Sequence, residues 1–309
     1  MWGGSDENDA ISTVHAALDQ GITLIDTAPV YGFGRSEEIV GKALAGRRSR
    51  ALIATKGGLE WHDGKVARNS TRQRLRRELE DSLRRLRTDY IDLYQIHWPD
   101  PLVSIEETAR VMGDFLKEGR IRALGVSNYS HEQMAAFGRV APLHTVQPPY
   151  NLFEREIEGN VLPYAKRKGL TVLAYGALCR GLLTGKIDAS RRYEGDDLRK
   201  VDPKFREPRL SGYLAAVRAL ERLARERYGK SVTALAVRWL LDQGPVIALW
   251  GARHPGQLAP VGEAMGWSLD DDALREINRI IFTHVVDPIG PEFMAPPVRR
   301  PSQRAAVAA

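Results

Sequence analysis

The feature that most constrains the fold is a repeated alternation of short apolar runs with longer amphipathic segments. The short runs are rich in Val, Ile, Leu and Tyr, and most are apolar on both faces. This pattern is typical of strands buried in a parallel sheet. Seven strands are predicted: Ile22–Ala28, Ala51–Lys56, Tyr90–His97, Ala123–Asn128, Thr145–Tyr150, Thr171–Ala177 and Val246–Gly251.

The longer segments between these runs predict helices. Several begin at a capping residue, and Ser104 with Glu107 three residues later matches a capping box. Glycines stand where five of the helices should end. The predicted helices are Asp9–Gln20, Ser36–Ala45, Ser70–Leu86, Ser104–Glu118, Ser130–Val140, Glu156–Lys168, Tyr213–Tyr228, Val232–Gln243 and Asp270–Ile281.

Strands that alternate with helices imply right-handed crossovers and a parallel sheet. We therefore predict an α/β fold, the (β/α)8 TIM barrel, as a single domain over residues 1–309. A complete barrel has eight strands, whereas no strand precedes the helix Asp9–Gln20. We expect the first strand to be missing from this chain. The polar residues 187–209 predict a surface loop, and the proline-rich residues 288–309 an extended C-terminal tail.

Composition limits the function classes. No apolar run approaches the roughly 18 residues of a membrane span, and the N-terminus lacks the pattern of a signal peptide. The one cysteine, Cys179, cannot form an internal disulfide, so we expect a cytoplasmic protein. The net charge is +6, but the densest basic stretch, Arg68–Arg87, is interleaved with acidic residues and argues against nucleic-acid binding. The chain has no metal-binding motif, and we predict no metal.

Polar residues stand where several predicted strands end. In a barrel, function gathers at the carboxyl ends of the strands. Asp26 and Tyr31 follow the first predicted strand, Lys56 ends the second, and His97 ends the third. A carboxylate, a phenol, an ammonium and an imidazole at one edge are hard to explain structurally, because buried charges need partners. Further polar residues end the next two strands: Ser127, Asn128 and Gln147.

The motifs that contain these residues strongly resemble the aldo-keto reductase family, in particular its bacterial branch. The resemblance extends from Trp2 to Pro297. It is carried by Asp26-Thr-Ala-Pro-Val-Tyr31-Gly-Phe-Gly-Arg-Ser36-Glu37, Ala54-Thr55-Lys56, Asp89-Tyr-Ile-Asp92-Leu-Tyr-Gln-Ile-His97-Trp98, Ile121-Arg-Ala-Leu-Gly125-Val-Ser127-Asn128-Tyr129 and Ala174-Tyr175-Gly-Ala-Leu-Cys-Arg-Gly181-Leu-Leu-Thr-Gly185-Lys186.

This resemblance implies NADPH-dependent reduction of small aldehydes or ketones, with a catalytic tetrad of Asp26, Tyr31, Lys56 and His97. Tyr31 would donate a proton to the carbonyl oxygen. Its ordinary pKa is about 10, and we expect Lys56 to lower that pKa because a nearby cation favours the phenolate. Asp26 would hold Lys56, and His97 would orient the carbonyl and stabilise the developing oxyanion.

The resemblance also implies a set of cofactor-binding residues. Ser127, Asn128 and Gln147 would contact the nicotinamide carboxamide, and Tyr175 would stack on the ring. Arg253 would bind the 2′-phosphate of NADPH, since a guanidinium matches phosphate geometry. NADPH is the expected cofactor, with NADH as the second option. The remaining residues of the set are Gly176, Ala177, Leu178, Cys179, Gly181, Leu182 and Lys186 for the pyrophosphate, Gly251 and Ala252 beside Arg253, and Gln257 for the adenine.

Three aromatic residues, Phe33, Trp61 and Trp98, are expected to line the substrate pocket. The sequence departs from the family's pattern at two places. Relatives place a Glu-Asn pair shortly after the position of Gln257, and this chain reads Leu258-Ala-Pro260-Val261 there. In addition, the residues Met1 to Gly4 resemble the loop that follows the first strand, so a misassigned start or a truncation is expected.

Two alternatives remain open. The same fold and tetrad serve in NADPH-binding regulatory subunits of potassium channels, although no docking segment is recognisable in this sequence. The chain could also be an inactive fragment if the first strand is absent in the cell. The residues predict neither the particular carbonyl substrate nor the oligomeric state.

Overall fold

The computed structural model describes residues 6–299. The strands are β1 Leu24–Asp26, β2 Leu52–Gly57, β3 Leu59–His62, β4 Lys65–Arg68, β5 Ile91–Ile96, β6 Ile121–Ser127, β7 Thr145–Gln147, β8 Thr171–Ala174 and β9 Val246–Ala248. The helices are α1 Glu7–Asp19, α2 Arg35–Ala43, α3 Arg72–Leu86, α4 Ile105–Lys117, α5 His131–Gly138, α6 Val161–Lys168, α7 Arg209–Tyr228, α8 Val232–Leu241 and α9 Asp271–His284. All seven predicted strands are confirmed, with their ends shifted by up to three residues.

The chain divides into two compact units. Among the described residues, the first unit comprises 6–25 and 144–293, and the second comprises 26–143 and 294–299. Residues Met1 to Gly4, on which the expectation about the first strand rests, lie outside the described part of the chain.

The second unit contains the parallel strands β2, β5 and β6. β2 pairs with β5, so that Lys56 lies opposite Gln95, and β5 pairs with β6, so that Gln95 lies opposite Gly125. β2 and β5 are buried along most of their length. Just after β1, the backbone N–H of Thr27 donates to the carbonyl of Ala54 at 2.9 Å. The ends of β1, β2 and β5 are therefore held in one register.

A two-stranded antiparallel hairpin, β3 and β4, follows β2 directly, with Trp61 opposite Val66. The sequence-based prediction contains no hairpin here. Its turn residues Asp63 and Gly64 both have positive φ angles, of 49° and 75°. Asp-Gly at a two-residue turn is a strong hairpin signal. The hairpin could therefore have been predicted from the sequence.

The described part of the C-terminal tail lies along this hairpin. The N–H of Arg68 donates to the carbonyl of Pro297 at 3.0 Å, and Arg68 forms a parallel bridge with Val298. Arg299 pairs with Asp100. An extended conformation is therefore found for 296–299, whereas Glu292–Met294 is a short 3-10 helix. The rest of the predicted tail, residues 300–309, lies outside the described residues.

The first unit contains the parallel strands β7, β8 and β9, paired through Val146 with Val172 and Val172 with Val246. The predicted helix Glu156–Lys168 is divided into a 3-10 turn, Glu156–Gly159, and α6. A further 3-10 helix, Pro255–Ala264, lies where no helix is predicted.

Residues 187–209 differ in part from the predicted surface loop. They contain two short 3-10 helices, Leu198–Lys200 and Pro203–Phe205. Asp202 and Lys204 are completely buried. Polar composition favours an exposed loop, but these two charges are buried because oppositely charged partners surround them.

Ser104 caps its helix as predicted, but the reciprocal capping box forms at a different helix. Ser104 caps α4 by accepting from the N–H of Glu107 at 3.1 Å, as predicted. The reciprocal capping box forms at α5, where Ser130 and Gln133 exchange hydrogen bonds. Both serines satisfy N–H groups that have no partner within the helix.

Glu37 joins α2 to β2 and α3 from a completely buried position. It accepts from the Thr55 hydroxyl at 2.6 Å and from Arg85 Nε at 2.7 Å. α2 also packs closely on α3, because a Cβ added at Gly41 would lie 2.5 Å from the carbonyl oxygen of Arg85. A buried carboxylate therefore ties together the elements behind the end of β2.

We predict that Glu37→Gln lowers the free energy of unfolding by about 3 kcal/mol, because Arg85 would lose the charge of its partner in a buried site. Urea unfolding followed by tryptophan fluorescence would measure it. Glu38→Gln is the matched control on the same helix, since Glu38 is half-exposed in its pair with Arg35 and should change stability little. Equal effects of the two substitutions would contradict the structural role of Glu37.

Candidate active site

Lys56 lies near the end of β2, and its side chain is completely buried. The ammonium donates to Asp26 Oδ2 at 2.6 Å and to the carbonyl oxygen of Thr27 at 2.9 Å. An isolated ammonium would be very costly to bury. Asp26 and Thr27 compensate for this cost, so that a positive charge persists inside the second unit.

Tyr31 and His97 lie beside this ammonium. The Nζ atom of Lys56 is 5.2 Å from the centroid of the Tyr31 ring. The Tyr31 and His97 rings are 5.8 Å apart at an interplanar angle of 85°. Lys56 is sealed, whereas Tyr31 and His97 are partly exposed. The structure thus brings together all four residues that the resemblance places in a tetrad.

The pKa of Tyr31 is shifted in the opposite direction from the expectation. Burial raises the pKa of the phenol above its ordinary value of 10, and Lys56 opposes that rise without overcoming it. Burial also disfavours the charged form of Lys56, but Asp26 and Tyr31 outweigh burial and raise the pKa of the ammonium. Near neutral pH the phenol therefore holds its proton while the lysine stays charged.

His97 follows β5, and its backbone N–H donates to the carbonyl of Gly57 at 2.9 Å. Burial lowers the pKa of its imidazole well below the ordinary 6.5, and the charge of Lys56 lowers it further. The ring is therefore neutral at physiological pH, with one N–H available as a donor.

Gln95 is a site residue absent from the sequence-based prediction. It is completely buried, and its Nε2 lies 3.5 Å from Asp26 Oδ1. Its Oε1 has no hydrogen-bond partner among the residues that the structure describes. A signal existed, since Gln95 lies two residues before His97 in a strand and side chains at that spacing share a face.

Asn128 and Ser127 end β6 next to His97. The Asn128 amide donates to the carbonyl of His97 at 3.0 Å and to the Ser127 hydroxyl at 3.0 Å. Asn128 adopts a φ of 60°, in the left-handed region that Asn tolerates better than most residues. Two of the three predicted carboxamide contacts thus adjoin the tetrad. The third, Gln147, is buried at the end of β7 in the first unit.

Two of the three predicted substrate residues, Phe33 and Trp61, lie next to each other. The Phe33 and Trp61 rings are 5.7 Å apart, and Phe33 is 50% exposed beside Tyr31 in the chain. Trp98 instead stacks with Arg68, whose guanidinium carbon lies 5.4 Å from the indole centroid.

The predicted pyrophosphate loop is found in the first unit as a tight turn with an unusual backbone. Cys179, Arg180 and Gly181 all have positive φ angles, of 45°, 52° and 96°. The N–H groups of Cys179 and Gly181 donate to the carbonyls of Gly176 and Leu178. These two amides therefore have protein acceptors within the turn, and phosphate binding by this loop stays a prediction. Of the other predicted pyrophosphate residues, Ala177 and Leu182 are buried and Lys186 is exposed, while Tyr175, predicted to stack on the nicotinamide ring, is half-buried.

The residues predicted to bind the 2′-phosphate and adenine also lie in the first unit. Arg253 is exposed, and its backbone N–H donates to Gln257 Oε1 at 2.6 Å. Gln257 therefore shapes the turn that carries Arg253. The pKa of Asp197 is lowered, chiefly by the hydrogen bond from Arg199 and to a smaller degree by the charge of Arg253. The neighbouring Gly251 and Ala252 are exposed and half-buried.

Two other types of site were sought across residues 6–299. No group of three His, Cys, Asp or Glu side chains in that range could hold a metal ion. None of the described helices is both long and apolar enough to cross a membrane.

Comparison with known proteins identifies the family. The model described as "Aldo/keto reductase family" matches residues 1–281. The chain belongs to this family. Its fold is the (β/α)8 barrel, so the predicted fold class is confirmed.

The chain also matches individual proteins over most of their length. The chain is 61% identical to "Aldo-keto reductase YhdN" of Bacillus subtilis over 97% of this chain and 91% of that protein. It is 57% identical to the structure of the glycerol dehydrogenase AKR11B4 from Gluconobacter oxydans, with a TM-score of 0.87 over 95% of this chain and 91% of that chain. A Klebsiella pneumoniae aldo/keto reductase solved with NADP and acetate is 27% identical, with a TM-score of 0.68 over 96% of this chain and 88% of that chain.

We predict that the His97 imidazole of this aldo/keto reductase stays neutral between pH 6 and 8, because its pKa lies well below 6.5. NMR titration of the ring signal, assigned by its loss in His97→Gln, would measure this. In urea the same ring should titrate near pH 6.5. Since only the unfolded chain then binds this proton, His97 should favour unfolding as the pH falls through about 6.5. A folded-state midpoint at or above 6.5 would contradict the prediction.

Proposed function

We propose that this aldo/keto reductase reduces small aldehydes or ketones with NADPH, and that Tyr31 is the proton donor. Membership of the family supports an NAD(P)-dependent oxidoreductase. The observation that supports the finer proposal is the Lys56–Asp26 ion pair, whose buried ammonium lies 5.2 Å from the ring centroid of a partly exposed phenol. A phenol in this position can release a proton to a bound molecule while its own anion remains stabilised.

Tyr31 serves as the acid in this mechanism. Because burial raises its pKa, the phenol is protonated before reaction and can donate to the carbonyl oxygen. Lys56 then stabilises the phenolate that remains, and Asp26 keeps the ammonium in place. Bound NADPH would supply the hydride for the carbonyl carbon.

His97 orients the carbonyl group. Its neutral ring has one N–H, and the ring lies in edge-to-face contact with that of Tyr31, with the two centroids 5.8 Å apart. We propose that both rings donate to one carbonyl oxygen bound beside them. A carbonyl oxygen held there would receive two hydrogen bonds, one from each ring. Donors aimed at a developing oxyanion lower the barrier of such reactions.

The residues present fit a nicotinamide cofactor. The Ser127 hydroxyl and the Asn128 amide suit a carboxamide, and Ser127 and Gln147 are almost completely buried. Gly176 has a φ of 69°, and a Cβ added there would meet no other atom closer than 3.8 Å, which leaves room near the backbone. The exposed guanidinium of Arg253 suits a 2′-phosphate. In the adenine segment, Leu258 is buried and supplies no polar group.

The substrate class is tested by measuring NADPH and NADH oxidation side by side with a sugar aldehyde, methylglyoxal and an aromatic aldehyde. The similarity to a glycerol dehydrogenase makes glycerol, oxidised with NADP⁺, a useful fourth substrate. We expect turnover of at least one carbonyl with NADPH. No oxidation of either cofactor with any substrate would refute the proposal.

We predict that Tyr31→Phe leaves NADPH binding unchanged but lowers kcat by at least about 100-fold, because the general acid is removed. Steady-state kinetics and tryptophan fluorescence quenching by NADPH would measure the two effects. Tyr94→Phe is the control, since the Tyr94 hydroxyl is buried and has no partner in the part of the chain described. Unchanged turnover in Tyr31→Phe would remove Tyr31 from its proposed role.

We predict that Arg253→Ala raises KM for NADPH at least tenfold and leaves KM for NADH within twofold, because only NADPH carries the 2′-phosphate. Arg275→Ala serves as the control for loss of an exposed arginine, since Arg275 pairs with Asp272 on α9. An equal rise in KM for both cofactors would show that Arg253 does not bind the 2′-phosphate.

A further inference from the structure

A neutral cluster of four buried charges lies in the first unit, outside the tetrad. We call Glu154, Arg180, Asp202 and Lys204 the buried charge cluster. The exposed fractions of the four side chains lie between 0% and 3%. Two carboxylates and two cations balance one another. Burial of this kind needs partners on every side.

Arg180 is the centre of the buried charge cluster. Its Nη2 donates to Glu154 Oε1 at 2.7 Å, and its Nε donates to Asp202 Oδ2. Lys204 completes the cluster with its Nζ 2.9 Å from Glu154 Oε1. The ring of Phe293 covers Arg180 and Lys204, with its centroid 5.2 Å from the guanidinium carbon. The planar guanidinium therefore bridges residues that are distant in sequence.

The buried charge cluster is connected to the start of the predicted pyrophosphate loop. The Asn151 amide donates to Glu154 Oε2 at 2.5 Å and to the carbonyl of Gly176 at 3.0 Å. Arg180 itself lies within the same loop. The turn 176–180 is thus held at both ends by the buried charge cluster, at Gly176 through Asn151 and at Arg180 directly.

The backbone of this loop needs such support. Cys179 and Arg180 lie in the left-handed region, which costs a non-glycine residue conformational free energy. Residues in such conformations persist when their surroundings over-determine them. The two carboxylates bound to the Arg180 guanidinium supply such a constraint, because they hold the side chain of a residue in this conformation from two sides.

We infer that Arg180 is a positioning residue for the cofactor, which sets the affinity for the pyrophosphate by holding the backbone of residues 176–182. This inference rests on the proposed function, because it needs NADPH to bind at this loop. The guanidinium touches protein groups, and its effect reaches the ligand through the loop. Lys204 shares the carboxylates but lies outside the loop, so it supplies a matched comparison within the buried charge cluster.

The experiment compares Arg180→Lys, Arg180→Met and Lys204→Met in the full-length chain. Binding of NADPH and of adenosine 2′-monophosphate, which carries the 2′-phosphate but no phosphate at the 5′ position, is measured by calorimetry, together with Tm and steady-state kinetics. Arg180→Lys keeps the positive charge but loses the planar guanidinium that contacts two carboxylates at once. It therefore remains informative if Arg180→Met does not fold.

We expect Arg180→Lys to weaken NADPH binding at least tenfold, to leave binding of adenosine 2′-monophosphate within twofold, and to leave kcat at saturating NADPH within threefold. Lys204→Met should lower Tm at least as much as Arg180→Lys while NADPH affinity stays within twofold. Equal NADPH affinity in Arg180→Lys and the wild type would overturn the inference. So would a loss that is the same for both ligands, or a loss that Lys204→Met shares.

The two proposals fail in different ways. A wild-type chain that does not bind NADPH refutes the proposed function and the inference with it. A wild-type chain that binds and oxidises NADPH, with an Arg180→Lys variant that binds it equally well, refutes the inference alone.

Discussion

The active site depends on one buried ion pair. Lys56 can remain charged without water because Asp26 Oδ2 and the Thr27 carbonyl lie within 2.9 Å of its ammonium. This requirement holds the segment after β1 against the end of β2. It therefore brings Tyr31, which follows only a few residues later, to the same ammonium. If the pair were broken, the phenol would lose the charge that stabilises its anion, and the buried partner would lose its compensation.

Burial and charge act against each other in this site, and their balance differs for each group. Burial dominates for Tyr31 and His97, so the pKa of the phenol rises and the pKa of the imidazole falls. Charge dominates for Lys56, whose pKa rises despite burial. All three shifts favour one protonation pattern near neutral pH: a protonated phenol, a neutral imidazole and an ammonium. That pattern suits proton donation, which is why the unexpected direction of the Tyr31 shift agrees with the proposed role.

The sequence was sufficient for features that depend on local pattern. The apolar runs predicted all seven strands of β1, β2 and β5–β9, and strand ends placed Asp26, Lys56 and His97 at one edge. It was insufficient where partners are distant in the chain. In the sequence, nothing distinguishes Arg180 from an ordinary loop arginine. Its partners Glu154 and Asp202 are 26 and 22 residues away, and only the structure shows that they bind it. Asp202 and Lys204 lie in a polar segment, and nothing local distinguishes a polar residue in solvent from one paired in the interior.

The buried charge cluster and the tetrad are built from the same kinds of groups, yet they suit different tasks. Both balance cations against carboxylates away from water. In the buried charge cluster every member is sealed, so its charges can only hold the backbone that carries them. In the tetrad the Lys56 ammonium is completely buried, while Asp26, Tyr31 and His97 are partly exposed. A ligand can therefore reach the groups that exchange and orient protons, but not the charge that controls them. A buried ion pair can therefore serve a reactive site when a ligand can reach the side chains next to it. Where those side chains are buried as well, the ion pair has only a structural role.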